Sequence, residues 1–293
     1  MFVAATAIAA AQKPKSAHPD LQGIWSRSTL TPLERPKAMG DKAFVPEDEV
    51  AGYQKYLLAH LEDDEPEIEK KTTGEPLEVW GEPGGIVPTR RTSLVVDPPD
   101  GHVPLTAQAR KTRESRLADR DKPRVFDDPE QFTLTERCLM FGGGPPMLPL
   151  PYNHGMQIVQ TPDTVLILSE MIHDARIIPL DGRPHLPSTI VRWQGDSRGR
   201  WDGDTLVVET TNFTNRTRVM GPTGGMRLVE RFSRTADDLL LYRFTVENPA
   251  QFDRPWTAEF PMRRSTTPIY EYACHEGNYS LASMLRGARA EEK

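Results

Sequence analysis

In the second half of the chain, apolar and polar residues alternate with a period of two in short runs, each closed by a turn signal. Residues 156–160 and 165–168 form two such runs, joined by the proline-led turn Thr161-Pro162-Asp163-Thr164. Trp201 and Thr205 flank Asp202-Gly203-Asp204, an Asp-Gly hairpin signal, and residues 206–211 continue as a strand. Residues 227–234 and 239–247 pair across Thr235-Ala236-Asp237-Asp238, and residues 256–262 supply a further strand. Hairpin-spaced strands without strand–helix–strand alternation predict a mostly β fold, either an antiparallel curved sheet or a lipocalin-like barrel.

The first half is less regular and predicts peripheral helices and long N-terminal loops. Residues 20–25 read as an opening strand, with Gly23 where the backbone bends or packs closely. Val50, Tyr53, Leu57, Leu58 and Leu61 recur at near-helical spacing after Pro46 and an acidic stretch, which predicts a helix over 46–61. Residues 62–85 read as a solvated loop and 92–96 as a strand stopped by Asp97-Pro98-Pro99-Asp100-Gly101. Residues 106–117 read as a short charged helix. The expected organisation is a single β domain over 13–293, in which 13–150 wrap or cap a main sheet built by 151–293.

Residues 1–12 end in small residues after an apolar run, as the remnant of a secretory signal does, although a frayed terminus has the same composition. Cys138 and Cys274 are the two cysteines of the chain. Their pairing is expected if the protein reaches an oxidising compartment, and the localisation expected is periplasmic or secreted. The formal net charge of −6 argues against a nucleic-acid partner, whose phosphates demand a basic surface. The sequence offers no apolar stretch of about 18 residues, the length a membrane-spanning helix requires. It is silent on oligomeric state.

Three phrases carry a resemblance: Glu-Met-Ile-His-Asp-Ala-Arg-Ile-Ile-Pro-Leu-Asp-Gly-Arg-Pro-His at 170–185, Gly-Asp-Ser-Arg-Gly-Arg-Trp-Asp-Gly-Asp-Thr-Leu-Val-Val-Glu-Thr-Thr-Asn-Phe at 195–213, and Glu-Tyr-Ala-Cys-His-Glu-Gly-Asn-Tyr at 271–279. With shorter phrases at 20–25, 31–36 and 91–101, they make nearly the whole chain resemble a large family of bacterial proteins, mostly predicted to be secreted. The resemblance implies a compartment; it brings no established activity and no catalytic residues.

The densest polar constellation is Glu170, His173, Asp174 and Arg176, directly after an apolar strand. A histidine beside carboxylates acts as a general acid or base near neutral pH, and an arginine holds a developing anion. A second run, Glu271, Tyr272, His275, Glu276, Asn278 and Tyr279, surrounds Cys274; a bridge to Cys138 would pin it near Tyr152, Asn153 and His154. His173, Asp174, His275 and Glu276 are the expected catalytic residues, with both histidines in one pocket. Arg176, Tyr152, Asn153, Glu209, Glu170 and Tyr279 are the expected substrate-binding residues. For both runs a structural role, as an ion-pair network or as partners of backbone groups, stays open.

Glu209, Glu230, Arg231, Arg243, Glu247 and Glu259 lie within predicted strands, where cross-strand pairs on the solvent face are the default. His173, Asp174, His185, His275 and Glu276 include metal-ligand types, but the sequence has no HExxH-like spacing and no metal is assigned. Residues 142–146, Gly-Gly-Gly-Pro-Pro, lack the lysine of a phosphate loop, and neither a dinucleotide fingerprint nor a Gly-x-Ser-x-Gly elbow occurs. The expected function is therefore that of a secreted, cofactor-independent acid–base enzyme of lyase, isomerase or dehydratase type, acting on a small aromatic or otherwise apolar molecule. The alternative is a non-catalytic, lipocalin-like binding protein that uses the same pocket for capture.

Overall fold

The computed structural model describes residues 18–60, 82, 84–119, 128–141, 144–217 and 221–291. The candidate leader at 1–12 and most of the loop at 62–85 lie outside the described residues. The fold is a mostly antiparallel, curved β-sheet. Its strands are β1 (Gly23–Ser26), β2 (Val95–Asp97), β3 (Gly155–Gln160), β4 (Thr164–Ser169), β5 (Ala175–Pro179), β6 (Asp196–Asp202), β7 (Thr205–Thr211), β8 (Arg227–Ala236), β9 (Leu239–Glu247) and β10 (Trp256–Ser265). They follow the order β5-β4-β3-β1-β10-β9-β8-β7-β6, with β2 paired to β10 beside β1.

The hairpins form where the turn chemistry places them. Gly203 takes a φ of +57° in the two-residue loop between β6 and β7, a backbone region costly for other residues. At the β3–β4 turn Thr161 N–H donates to the Thr164 carbonyl at 2.8 Å, and the Thr161 hydroxyl donates to the Asp163 carboxylate at 2.9 Å. One inward row runs through Leu228, Glu230 and Phe232 of β8, Leu240, Tyr242, Phe244 and Val246 of β9, and Trp256, Ala258, Phe260 and Met262 of β10, all buried. Tyr242 meets Phe260 edge-on at 5.5 Å between centroids, and Phe244 meets Trp256 at 5.6 Å, a packing that aromatic quadrupoles favour. The inside of the sheet is thus filled by large side chains.

Two differences from the sequence reading concern the first 150 residues. They do more than wrap the sheet, because β1 sits near its middle and pairs with β3 on one side and β10 on the other. Trp25 of β1 is fully buried in the main core, so pairing and apolar burial together draw this short strand in. The helix expected over 46–61 divides into a 3-10 turn, Glu47–Glu49, and helix α1, Val50–Ala59, which buries Tyr53 and Leu57 in a small satellite cluster with Leu30 and Val45. Helix α2, Ala107–Asp119, starts at Thr106, whose hydroxyl caps the Ala109 N–H at 3.1 Å. Helices α3, Cys274–Gly277, and α4, Tyr279–Glu291, close the chain at the periphery.

Candidate functional site

The sheet curls until its two terminal strands, β5 and β6, face each other, but among the described residues no ladder joins them. Gly199 permits the approach: a Cβ there would lie 2.6 Å from Leu180 Cδ2 and 2.8 Å from Ile178 Cγ2, inside normal contact. Side chains stitch this seam in place of a backbone ladder. Arg176 of β5, buried, donates from Nε to Ser197 Oγ of β6 at 2.9 Å, from Nη2 to Thr210 Oγ1 of β7 at 2.9 Å, and from Nη1 to Glu230 Oε1 of β8 at 3.0 Å, with a second contact from Nη2 to Glu230 Oε2. The Tyr242 hydroxyl donates to Glu230 Oε1 at 2.8 Å and accepts the Met147 N–H at 3.1 Å. Burial and the neighbouring Glu230 push the Tyr242 phenol well above its ordinary range.

On the outer side of the seam lies a cavity of about 380 Å³, at the small end of ligand pockets. Arg176, Arg183, Arg192, Gln194, Asp196, Ser197 and Arg198 give it polar walls, and Ala175, Ile177, Pro179 and Leu186 give it apolar ones. Asn212 ties down the loop before β6: its Nδ2 donates to the carbonyls of Leu186, Pro187 and Ile190 at 2.9–3.1 Å. Asp196, buried, accepts from His185 Nδ1 at 2.9 Å, from Leu186 N at 3.1 Å and from Arg198 Nη1 at 2.9 Å. Burial works against its charge, but these donors outweigh it and hold the carboxyl below its ordinary value. His185 Nε2 lies 3.6 Å from Glu209 Oε1, so both of its nitrogens face carboxylates and the ring bridges β6 and β7. Asp174, half-buried, touches the cavity wall through Gln194; burial raises its pKa, against the opposing effects of that hydrogen bond and of His173.

The connection from β4 to β5 is tightly constrained. Ile172 takes φ +63° and His173 φ +47°, and Asn153 and Cys138 also have positive φ. A β-branched residue in this region is strained by about 1–3 kcal/mol and persists only where packing holds it. Ile172 is anchored in a buried cluster with Phe141, Leu150 and Met171, against which Tyr152, Tyr272 and Cys274 pack. His173 Nδ1 lies 3.0 Å from the Tyr272 carbonyl. A carbonyl only accepts, so Nδ1 carries the proton and Nε2 is the basic nitrogen of the neutral ring. The disulfide between Cys138 and Cys274, with Cα atoms 5.8 Å apart, fixes the same C-terminal run.

The structure thus brings part of the expected site together. His173 reaches the C-terminal run at Tyr272, three residues before His275. His275 and Glu276 themselves are exposed, and among the described residues neither side chain takes part in a hydrogen bond or ion pair. Tyr279 starts α4 and is 79% exposed. Glu170 is buried and accepts from Gly155 N at 3.0 Å and Asn153 Nδ2 at 3.4 Å, while Tyr152 packs on Phe141; these residues support the turn. Glu209 is on the outer face, ion-paired to Arg227, whose hydrogen bond holds its carboxyl low.

Arg176 lines the cavity, but it stands inside strand β5 rather than in a loop after β4. The residues 175–179 pair with β4, which turns Arg176 and Ile178 inward and Ala175 and Ile177 outward. Its guanidinium is consequently occupied by Glu230. Of the strand charges, Glu230 is inward, whereas Arg227–Glu247, Arg231–Asp202 and Arg243–Glu259 pair on the outer face. Arg192, Gln194, Asp196 and Ser197 were not singled out from sequence; the signal for them is the Gly195 turn that opens β6 between two polar stretches.

Among the described residues, no three His, Cys, Asp or Glu side chains form a metal-ligand set, and no helix is long and apolar enough to cross a membrane. The disulfide fits an extracytoplasmic protein. No family model matches the chain, and no curated protein matches it.

Proposed function

We propose that this chain is a periplasmic or secreted acid–base enzyme, of lyase, isomerase or dehydratase type, that acts without a cofactor on a small, largely apolar molecule in the seam pocket. Asp174 is the observation that carries this reading. Its carboxyl is half-buried and hydrogen-bonded to Gln194, which lines the pocket, and burial keeps it protonated to higher pH than a solvated aspartate. Its neighbour His173 presents a basic Nε2 from a turn that the backbone and the disulfide hold in place.

In a dehydration, His173 Nε2 takes a proton from carbon, the electron pair of that C–H bond forms the double bond, and the neighbouring C–O bond breaks. Asp174 delivers its proton to the departing oxygen, which leaves as water. In an isomerisation the same two groups take and return protons, with no leaving group. Purified protein incubated with a mixed bacterial metabolite extract should convert a compound into an isomer or into a product lighter by a small neutral molecule. Asp174→Asn and His173→Ala should each slow that conversion by about 10²-fold or more. Conversion unchanged in both variants would sink the reading.

One observation favours simple capture instead: Arg176, the deepest cation of the pocket, is already neutralised by Glu230. A capture protein would retain its ligand in Asp174→Asn and convert nothing in either form.

A further inference from the structure

We infer that the seam pocket takes a small molecule with an apolar body and one carboxylate, and that Arg192 binds the carboxylate. The inference rests on the reading of the pocket given above and names its ligand class. Four arginines line the cavity. Arg176 is spent on Glu230, Ser197 and Thr210; Arg198 on Asp196 and the carbonyls of Pro184 and Ser197; Arg183 on Asp181. The Arg192 guanidinium has no hydrogen bond or ion pair among the described residues, and its residue is exposed.

Its backbone, by contrast, is fixed. Arg192 N donates to the Asn212 carbonyl at 2.9 Å, and its own carbonyl accepts from Thr214 N at 3.0 Å and Gly195 N at 3.3 Å. A planar, permanently charged fork matches a carboxylate in two parallel hydrogen bonds, and the fixed backbone sets where it starts. The other three lining arginines are already paired with carboxylates, so the cavity offers one uncompensated positive charge, which a monoanion matches and a dianion such as a phosphate monoester exceeds. The body of the ligand is set by Ala175, Ile177, Pro179 and Leu186. Ile177 is 63% exposed, and Ile190, Val191 and Trp193 are also exposed on the loop that carries Arg192. A volume of about 380 Å³ suits a compact ring or short chain and is too small for a peptide.

Phenylacetate and phenylacetamide, which share a shape and differ in charge, are the probes. Calorimetric titration of the full chain at low ionic strength should show phenylacetate binding about tenfold or more tightly than the amide. Arg192→Gln should erase that preference while leaving the amide's affinity and the far-ultraviolet spectrum unchanged, and Arg192→Lys should retain part of it. Equal affinity for the two probes, no saturable binding of either, or a preference that survives Arg192→Gln would overturn the inference. Asp174→Asn keeps the two readings apart. Selective binding of phenylacetate by that variant, without any metabolite conversion by the native protein, upholds the ligand class and removes the enzymatic reading.

Discussion

Arg176 and Glu230 meet inside the sheet although six ladders separate their strands, β5 and β8, along the sheet order. The contact crosses the open seam instead, passing β6 and β7. A buried pair of this kind costs a great deal to desolvate, so its integrity matters more than its net strength.

Removing one partner leaves an uncompensated charge in the core. Glu230→Gln and Arg176→Met should each destabilise the protein by about 3–5 kcal/mol in urea unfolding, whereas Arg176→Met combined with Glu230→Leu should recover much of the loss. Single-variant losses below about 1 kcal/mol would mean that water reaches the pair.

Gly199 faces Ile178 and Leu180 across the seam without room for a methyl group. Gly199→Ala should therefore cost about 1–3 kcal/mol through overpacking. Adding Leu180→Ala, which removes the nearer of the two obstructing atoms, should return part of it. A neutral Gly199→Ala in thermal unfolding would show that the two strands stand further apart.

The Cys138–Cys274 bridge spans 136 residues, and closing so long a loop in the unfolded chain corresponds to roughly 4–5 kcal/mol by the chain-entropy estimate. The double serine variant should lose about 2–4 kcal/mol, the range usual for native disulfides. Mass spectrometry of alkylated, unreduced protein from an oxidising compartment should find no free thiol; two alkylated cysteines would contradict the bridge.

Asp174 and the pair Asp196 and Glu209 respond to pH in opposite directions. The Asp174 pKa is raised above 3.8 by burial, so the folded state binds its proton more tightly. Its contribution to stability is complete below the unfolded value and is lost as pH rises through the folded one. Asp196 and Glu209 have lowered values, and their contribution is lost as pH falls through those values. A carboxyl-carbon titration by nuclear magnetic resonance should place Asp174 above both, and Asp174→Asn should flatten the decline of stability on the alkaline side of the unfolded aspartate pKa.

The hairpins were legible because turn chemistry and side-chain parity are local. Glu230 departs from the solvent-face default expected of the strand charges: it shares the parity of Leu228 and Phe232 and is buried with them, paired with Arg176 across the seam. Strand β5 was harder: Ala175, Ile177 and Ile178 offer an apolar residue to either face, so nothing local points Arg176 inward. Helix α4 hides its period among polar residues, with Leu281, Leu285 and Ala288 as its half-buried row. The seam was beyond local reading. It depends on curvature summed over the whole sheet, and Arg176, Arg192 and Asp196 become neighbours of one cavity only once β5 and β6 converge.

The position of β1 has a consequence for how the chain is made. Ile24 pairs with Gln157 on one side and Ser265 on the other, so β1 is made well before β10, the last described strand in chain order, can complete its ladders. Such distant pairing is slow, and it leaves Trp25 without its burial site until β10 arrives. By the same logic, a chain stopped after β9 would be a sheet split at its middle, not a smaller stable protein.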